Sequence, residues 1–521
     1  MVRNRNAPML FATRRAAMSS TATTSLTGAR YTYNNFVAGE WTASSATQRV
    51  PNTNPADTRD ILGQVALSSA EEARDAVKAA ANAYPAWRDT PGPVRGQIIM
   101  RAARILSAER EEVARLLTRE EGKTVKDALG ELGRTINILE YIAAESRRPG
   151  GDTIPSELPN NFCYTQRVPL GVVACITPWN FPVAIPFWKI APALVAGNTV
   201  VFKPATLTPA TATAVVSILE RAGVPGGVLN MVLGTGGTVG HALVDASAVE
   251  AVSFTGSNEV GSRLYARAAK RMIRVQCEMG GKNPVVVLAD ADLDLAAAAA
   301  AQGAYGSTGQ RCTATSRVIV EDAVADSLVE RLKGHADAVV IGNGLEEGVS
   351  MGPAVDTAQL ETDLEYIEIG KSEGASLIRG GQRLSDGTHR HGHFIEPTIF
   401  DHVTPGMRIA QEEIFGPVLS VIRVKSFDEA IAAANSVRFG LSASIFTRDV
   451  SAAYRFTDRI DVGMVHVNSG TPGGEAQIPF GGIKATGLGP REQGPTALDF
   501  FTEIKVVYVD YTGESRKGSL Y

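Results

Sequence analysis

The chain has 521 residues, of which 44% are hydrophobic and 20% charged, and its formal net charge is −4 at pH 7. That length exceeds one ordinary hydrophobic core and implies two or three domains. The composition excludes a disordered chain, and the near-neutral balance gives no reason to expect a nucleic acid or an anionic membrane, although small anionic ligands stay open.

The first 39 residues hold no Asp or Glu and several arginines, among them Arg3, Arg5, Arg14 and Arg15. This reads as a disordered leader over 1–30, with a true start at Met18 or an organellar transit peptide as the alternatives. Tyr31 to Trp41 alternates and turns at Ala38-Gly39, a short strand pair. Helices are expected at Glu71–Tyr84, Pro93–Glu121 and Val125–Ser146, with Pro93 in a first turn and Gly122 as a stop. The rhythm then changes. Strands are expected at Val168–Ile176, Thr199–Phe202, Val228–Val232, Val249–Phe254 and Ile273–Cys277. Helices at Phe187–Ala196, Pro209–Ala222, Val239–Asp245 and Glu259–Lys270 alternate with them. This is the signature of a parallel sheet covered on both faces. A second alternating stretch runs from Pro284 to about Ile478, with an alanine-rich helix around Leu295–Ala301. Phe501–Tyr511 reads as a strand arm.

Four cysteines, Cys163, Cys175, Cys277 and Cys312, show no CxxC pair and no zinc-like spacing. They read as free thiols of a reducing compartment, and a cytoplasmic location is expected. No apolar run reaches the roughly 18 residues of a membrane span. His389, His391 and His393 alternate, but no acidic or Cys cluster adjoins them, so an exposed loop is expected and no metal.

Five short stretches carry chemistry. Cys312 follows a Ser-Thr-Gly turn; a free thiol has a pKa near ~8.5, and Arg311 with main-chain N–H groups would favour its thiolate. Alone it would more often be a small buried hydrophobe. Glu278 ends a strand and precedes two glycines, as a general base or as a partner of Lys282. Asn180 lies on a loop after a parallel strand, where such sheets bind ligands, and its amide suits an oxyanion or simply a turn. Lys203, after the next strand, suits a ribose or phosphate, or is a solvated lysine. Gly256 and Ser257 open a helix that either binds a diphosphate or is plainly capped. The glycine-rich 234–240 stretch departs from GxGxxG spacing and is a weak signal.

In this order, TPWNFP (177–182), KPAT (203–206), FTGS (254–257), EMGGKNP (278–284), GQRCTATSR (309–317), EEIFGP (412–417) and PFGGIK (479–484) resemble the aldehyde dehydrogenase superfamily over about residues 31–511. The resemblance implies an α/β fold in three parts: a Rossmann-type parallel-sheet cofactor domain (31–145 and 169–277), a catalytic domain (278–484) and a small β oligomerisation arm (146–168 and 485–521). It implies Cys312 as nucleophile, Asn180 and the Cys312 N–H as oxyanion donors, and Glu278 as the base for thioester hydrolysis; a carboxylate at that position favours water over coenzyme A. Lys203 completes the catalytic set. Cofactor contacts are expected from Ile176, Thr177, Pro178, Trp179, Lys203, Thr206, Gly236, Gly256, Ser257, Met279, Glu413 and Phe415.

Where NAD-preferring members often carry Glu, three residues after the Lys, this chain has Thr206. A Glu would repel a 2′-phosphate and a Thr hydroxyl can donate to it, so NADP is the expected cofactor, with NAD also accepted. The stretches GQRCTATSR, LETDLEYIEIGKSEGASL (360–377) and GPREQG (489–494) resemble 2-oxoglutarate semialdehyde (2,5-dioxopentanoate) dehydrogenases, making that aldehyde the expected substrate. Succinate semialdehyde, betaine aldehyde and aromatic aldehydes such as vanillin are alternatives, as is a catalytically dead cofactor-binding protein. Arg311 either meets a substrate carboxylate or supports the Cys loop. A homodimer or homotetramer is expected.

Overall fold

The computed structural model describes residues 27–28, 30–148 and 150–515. The leader read over 1–30 lies outside the described residues except at 27, 28 and 30. The α/β architecture rests on two large sheets. The first has eight strands in the order Gly487–Leu488, Arg274–Glu278, Val249–Thr255, Val172–Ile176, Thr199–Lys203, Leu229–Met231, Asn35–Val37 and Glu40–Thr42. Its five central strands are parallel. Val172–Ile176 and Thr199–Lys203 are buried at every residue, as expected of strands covered by helices on both faces.

The chain lays strands outward from Val172–Ile176 and then returns to its other side at Val249–Thr255. Strand order reverses between these two neighbours, and parallel sheets open a ligand crevice beyond the C-terminal ends at such a point. The loops leaving Ile176 and Thr255, which hold Asn180 and Ser257, therefore flank that crevice.

The second sheet has seven strands in the order Ser376–Arg379, Thr398–Asp401, Val418–Val424, Thr315–Glu321, Asn283–Val287, Ser442–Phe446 and Met464–Val467. The chain crosses directly from Glu278, at the C-terminal end of a first-sheet strand, to Asn283, at the N-terminal end of a second-sheet strand. Cys312 lies just ahead of the strand Thr315–Glu321, so the C-terminal edge of one sheet meets the N-terminal edge of the other at Cys312. A third sheet joins Thr502–Asp510, Asn161–Pro169 and Thr153–Ile154. It exposes Phe162, Ile504, Val506 and Tyr508.

Several elements differ from expectation. The run Val168–Ile176 is two strands in different sheets, Asn161–Pro169 and Val172–Ile176. Gly171 breaks it at φ +139°, and the distant Asn198 side chain accepts from the N–H groups of Leu170 and Gly171. The helix expected over Pro93–Glu121 is two helices, Gly92–Ala108 and Arg110–Glu121, which meet at Glu109. The first helix runs on to Arg88, past Pro85, which lies inside it and costs one backbone bond without ending it. Gly236–Gly240 is a wide π-type turn leading into His241–Asp245, not a loop before a helix. The turn at Ala38-Gly39 has positive φ at both residues, the geometry that matches hairpin twist.

Candidate functional site

Cys312 sits in a loop fixed from several sides. Ser307, Thr308 and Gly309 all hold positive φ, which costs the two non-glycine residues about 1 kcal/mol or more each. Tertiary bonds hold the turn: Ser307 N donates to Asp127 (3.2 Å), Thr308 Oγ1 to the Gly352 carbonyl (3.0 Å), and Val355 N to Gln310 Oε1 (2.9 Å). Asn283 Nδ2 donates to the carbonyls of Cys312 and Ala314, both at 2.8 Å.

Arg311 does not favour the thiolate as expected. Its Nη2 turns to Asp127 Oδ1 at 2.7 Å and Ser307 Oγ at 2.8 Å. Burial pushes the Cys312 thiol up to about 12, helped by the carboxylates of Glu413 and Glu278; Arg134 and the Thr313 N–H oppose the rise. The resting sulfur is therefore a thiol at neutral pH.

Asn180 is buried, and its side-chain Nδ2 donates to the Gln310 carbonyl at 3.1 Å. An amide NH2 carries two hydrogens, so one remains for another acceptor. The crevice at the strand reversal is a cavity of about 280 Å³ that Cys312 lines together with Trp179, Asn180, Ser257 and Glu413. Pro178, Gly256, Met279 and Phe415 complete the predicted set there. The crevice fits a dinucleotide. Of its lining, Thr255 Oγ1 is sealed from water with no partner, and Lys203, outside the cavity at the end of the neighbouring strand, is held down to about 8 by burial alone. A Cβ on Gly256 would come within 2.5 Å of Phe254, and one on Gly280 within 1.8 Å of Glu413, so both are close-approach positions. Ser257 Oγ also caps the helix Asn258–Ala269, accepting from Val260 N at 3.4 Å.

Other expected contacts lie outside this cavity. Ile176 and Lys203 face each other at the ends of paired strands, and Thr177 N donates to the Lys203 carbonyl at 3.2 Å. Thr206 is half-buried and Gly236 exposed on its turn. Gln359 and Thr362, from the helix Thr357–Ser372, line the crevice without having been singled out. Gln359 Nε2 bridges Asp363 (2.8 Å) and the Ile414 carbonyl (3.0 Å), bracing the loop that carries Glu413 and Phe415. Nothing in the local pattern marks Gln359.

Glu278 is buried, and its Oε2 accepts from Gly482 N at 3.4 Å, a weak contact. Burial first, then the charge of Glu492, raises its pKa well above the ordinary value, while Lys189 and Arg491 pull the other way. Lys189 is paired with Glu492 and donates to Ser253 Oγ at 3.1 Å. Lys282 is not the partner of Glu278: its Nζ is buried without one.

On the other side of the Cys loop, Arg311 and Thr313 line a second cavity of about 430 Å³ with Phe181 and Arg134. The Arg134 guanidinium lies 4.9 Å from the Trp188 ring and 5.7 Å from that of Phe480. Nη2 donates to the neutral Gln493 at 3.1 Å, and Nε is sealed without a partner. Desolvation lowers its pKa to about 10. A larger cavity of about 690 Å³ behind the helix Leu293–Tyr305 contains none of the residues singled out from sequence.

The stretch holding His389, His391 and His393 is a tight turn, and all three are half-buried where an exposed loop was expected; His389 meets the Ile341 carbonyl and the Phe394 ring. Among the described residues no group of three His, Cys, Asp or Glu is placed to hold a metal, and no helix is long and apolar enough to cross a membrane.

The model of the aldehyde dehydrogenase family matches residues 41–507. The alpha-ketoglutaric semialdehyde dehydrogenase of Bacillus subtilis is 51% identical over 478 residues, 92% of this chain and 98% of that protein. The 2,5-dioxopentanoate dehydrogenase of Saccharolobus solfataricus is 45% identical over 475 residues, 91% of this chain and 98% of its own. Betaine aldehyde dehydrogenase of Staphylococcus aureus, solved with NAD+, superposes with a TM-score of 0.91 at 32% identity, covering 96% of this chain and 98% of that one.

Proposed function

Because the chain belongs to the aldehyde dehydrogenase family and oxidises aldehydes with a nicotinamide dinucleotide, we propose that Cys312, Asn180 and Glu278 carry the reaction and that 2-oxoglutarate semialdehyde is the substrate. One observation supports this most directly. The loop Arg311–Thr313 is a wall between two cavities, a crevice fit for a dinucleotide and a chamber holding an enclosed guanidinium.

Bound in the crevice, the dinucleotide supplies a hydride acceptor. Cys312 gives its proton to a water of the active site, which passes it to solvent, and adds to the aldehyde carbon. The new oxyanion accepts from the free hydrogen of Asn180 Nδ2 and from the Cys312 N–H; one such donor is worth about 2.7–4 kcal/mol in the transition state. Departure of the hydride leaves a thioester on Cys312. Glu278, turning from its weak hold on Gly482 or acting through a water, takes the proton of the attacking water, and the carboxylic acid leaves. Glu413, half-buried and accepting from Gly281 N at 3.0 Å, faces the crevice as an acceptor for ribose hydroxyls, and Phe415 and Trp179 form its walls.

The substrate assignment rests on charge. 2-Oxoglutarate semialdehyde carries a carboxylate at the end away from its aldehyde. Arg134 offers a desolvated cation in the chamber beside the Cys loop, with a neutral side chain as its polar partner. The same cation repels the trimethylammonium of betaine aldehyde. NADP is the assigned cofactor, with NAD accepted, because Thr206 puts a hydroxyl and no negative charge near Lys203. The three-part division reads the first sheet as the cofactor domain, the second as the catalytic domain, and the third, with its exposed apolar face, as an arm that seats on a second copy. The test is an aldehyde panel with the purified protein, each aldehyde run with NAD and with NADP. A betaine aldehyde preference, or no turnover of any carboxylated aldehyde, would overturn the substrate reading.

A further inference from the structure

We propose that Lys123 and Glu131 are positioning residues that set the side-chain amide of Asn180 against the Cys312 loop; the inference rests on the reading of Asn180 as an oxyanion donor. The pair is sealed. Lys123 Nζ and Glu131 Oε2 are 2.8 Å apart, with side-chain exposures of 1% and 0%. Removing two charges from water is costly and is often no better for stability than apolar packing. A buried pair therefore needs an account beyond stability, and its other contacts supply one.

Both residues spend their remaining hydrogen bonds on the loop that carries Asn180. Lys123 Nζ donates to the main-chain carbonyl of Asn180 itself at 2.6 Å and stands 4.0 Å from the centre of the Phe181 ring. Glu131 Oε1 accepts from the N–H groups of Val183 and Ala184 at 2.9 and 3.0 Å. It thereby satisfies donors at the start of the 13-residue helix Ala184–Ala196, for which Val183, as N-cap residue, provides no side-chain acceptor. The residues on both sides of Phe181-Pro182 are thus tied to one ion pair. The pair is itself carried on the elements flanking Thr124, the N-cap of the helix Val125–Glu145. That helix also holds Asp127, the anchor of Ser307 and Arg311 ahead of Cys312. One helix terminus therefore references both the oxyanion donor and the nucleophile loop. An error of about 1 Å in such a placement is enough to cost roughly a hundredfold in rate.

The test measures the first-turnover burst of reduced cofactor. Lys123→Met combined with Glu131→Gln removes both charges of the pair and keeps an acceptor for the helix start; Glu121, sealed 3.9 Å from Lys123 Nζ and already raised to about 7 by burial, then becomes the neutral acid. The double variant is expected to keep wild-type cofactor affinity while its burst rate falls about ten- to hundredfold. Adding Asn180→Ala should produce no loss beyond that of Asn180→Ala alone, because the pair acts only through that amide. A purely structural pair would instead give losses that multiply, and that result, or a double variant with a wild-type burst, overturns the inference. If Asn180→Ala itself bursts at the wild-type rate, it is the oxyanion reading that falls. Should the double variant fail to fold, Glu131→Gln alone is judged by the same comparison in the Asn180→Ala background.

Discussion

Arg311 and Asp127 meet at 2.7 Å beside the nucleophile loop, so the cation next to Cys312 is already neutralised. Arg134, about two turns along the helix from Asp127, is not: its polar partner is the amide of Gln493. Arg134→Met should therefore raise KM for 2-oxoglutarate semialdehyde and leave an uncharged aldehyde such as propanal almost unaffected. Losing one partner of a desolvated charge pair costs about 2–5 kcal/mol, a fall of at least about thirtyfold in kcat/KM. Arg311→Met should slow both aldehydes alike, through the loop. Equal losses for both aldehydes in the Arg134 variant would remove that residue from substrate recognition.

The thiol of Cys312 is pushed up to about 12 by burial and by two carboxylates. In the protein without cofactor, its thiolate fraction should rise about tenfold per pH unit and still be climbing at pH 10. Iodoacetamide inactivation followed from pH 7 to pH 10 checks this. A plateau near pH 8 would mean an already activated thiolate. Cys175 and Cys277 are buried with their pKa values likewise raised to about 12, and the Cys312→Ser variant reports their background.

The parallel sheet was legible because its strands are short, largely apolar runs separated by helices, and strand reversal then placed the Asn180 and Ser257 loops. The break at Gly171 was hidden, since the residue that holds it, Asn198, lies on another turn. No Pro or Gly marks the joint at Glu109. The chemistry of Arg134 was hidden for a related reason. In sequence it is one more basic residue on a helix, and only folding puts Trp188 and Phe480 on its faces. Arg311 attracted attention by adjacency to Cys312, whereas its direction is set by Asp127.

Glu278 titrates high because it is buried and faces Glu492. A raised carboxyl pKa means the neutral acid persists at pH values where an ordinary Glu is ionised, and only the ionised form accepts a proton from water. The hydrolytic half-reaction should therefore gain rate with rising pH, along a limb displaced above the usual carboxylate range. Lys189 favours ionisation, so Lys189→Met should displace the limb further upward. Glu278→Gln should keep the burst of reduced cofactor and slow steady turnover by about 10²–10⁴. An unchanged steady rate would assign the base elsewhere.

The proposed preference for NADP turns on one side chain three residues from a buried cation. Lys203 is held down to about 8 by burial, so an anion brought beside it gains a partner that the protein itself does not provide. A 2′-phosphate of about two negative charges is such an anion. Thr206, half-buried three residues on, adds a hydroxyl donor and no competing charge. Thr206→Glu reverses both terms: it supplies Lys203 with a carboxylate and sets a like charge against the phosphate. Discrimination measured as the ratio of kcat/KM for NADP to that for NAD should fall by at least about tenfold, with the loss carried by KM for NADP. Aldehyde KM should not move, because the change lies on the turn after the strand Thr199–Lys203, outside the chamber that holds Arg134. A ratio unchanged by the substitution would show that the phosphate is recognised by other groups, and the assignment of NADP through Thr206 would fall.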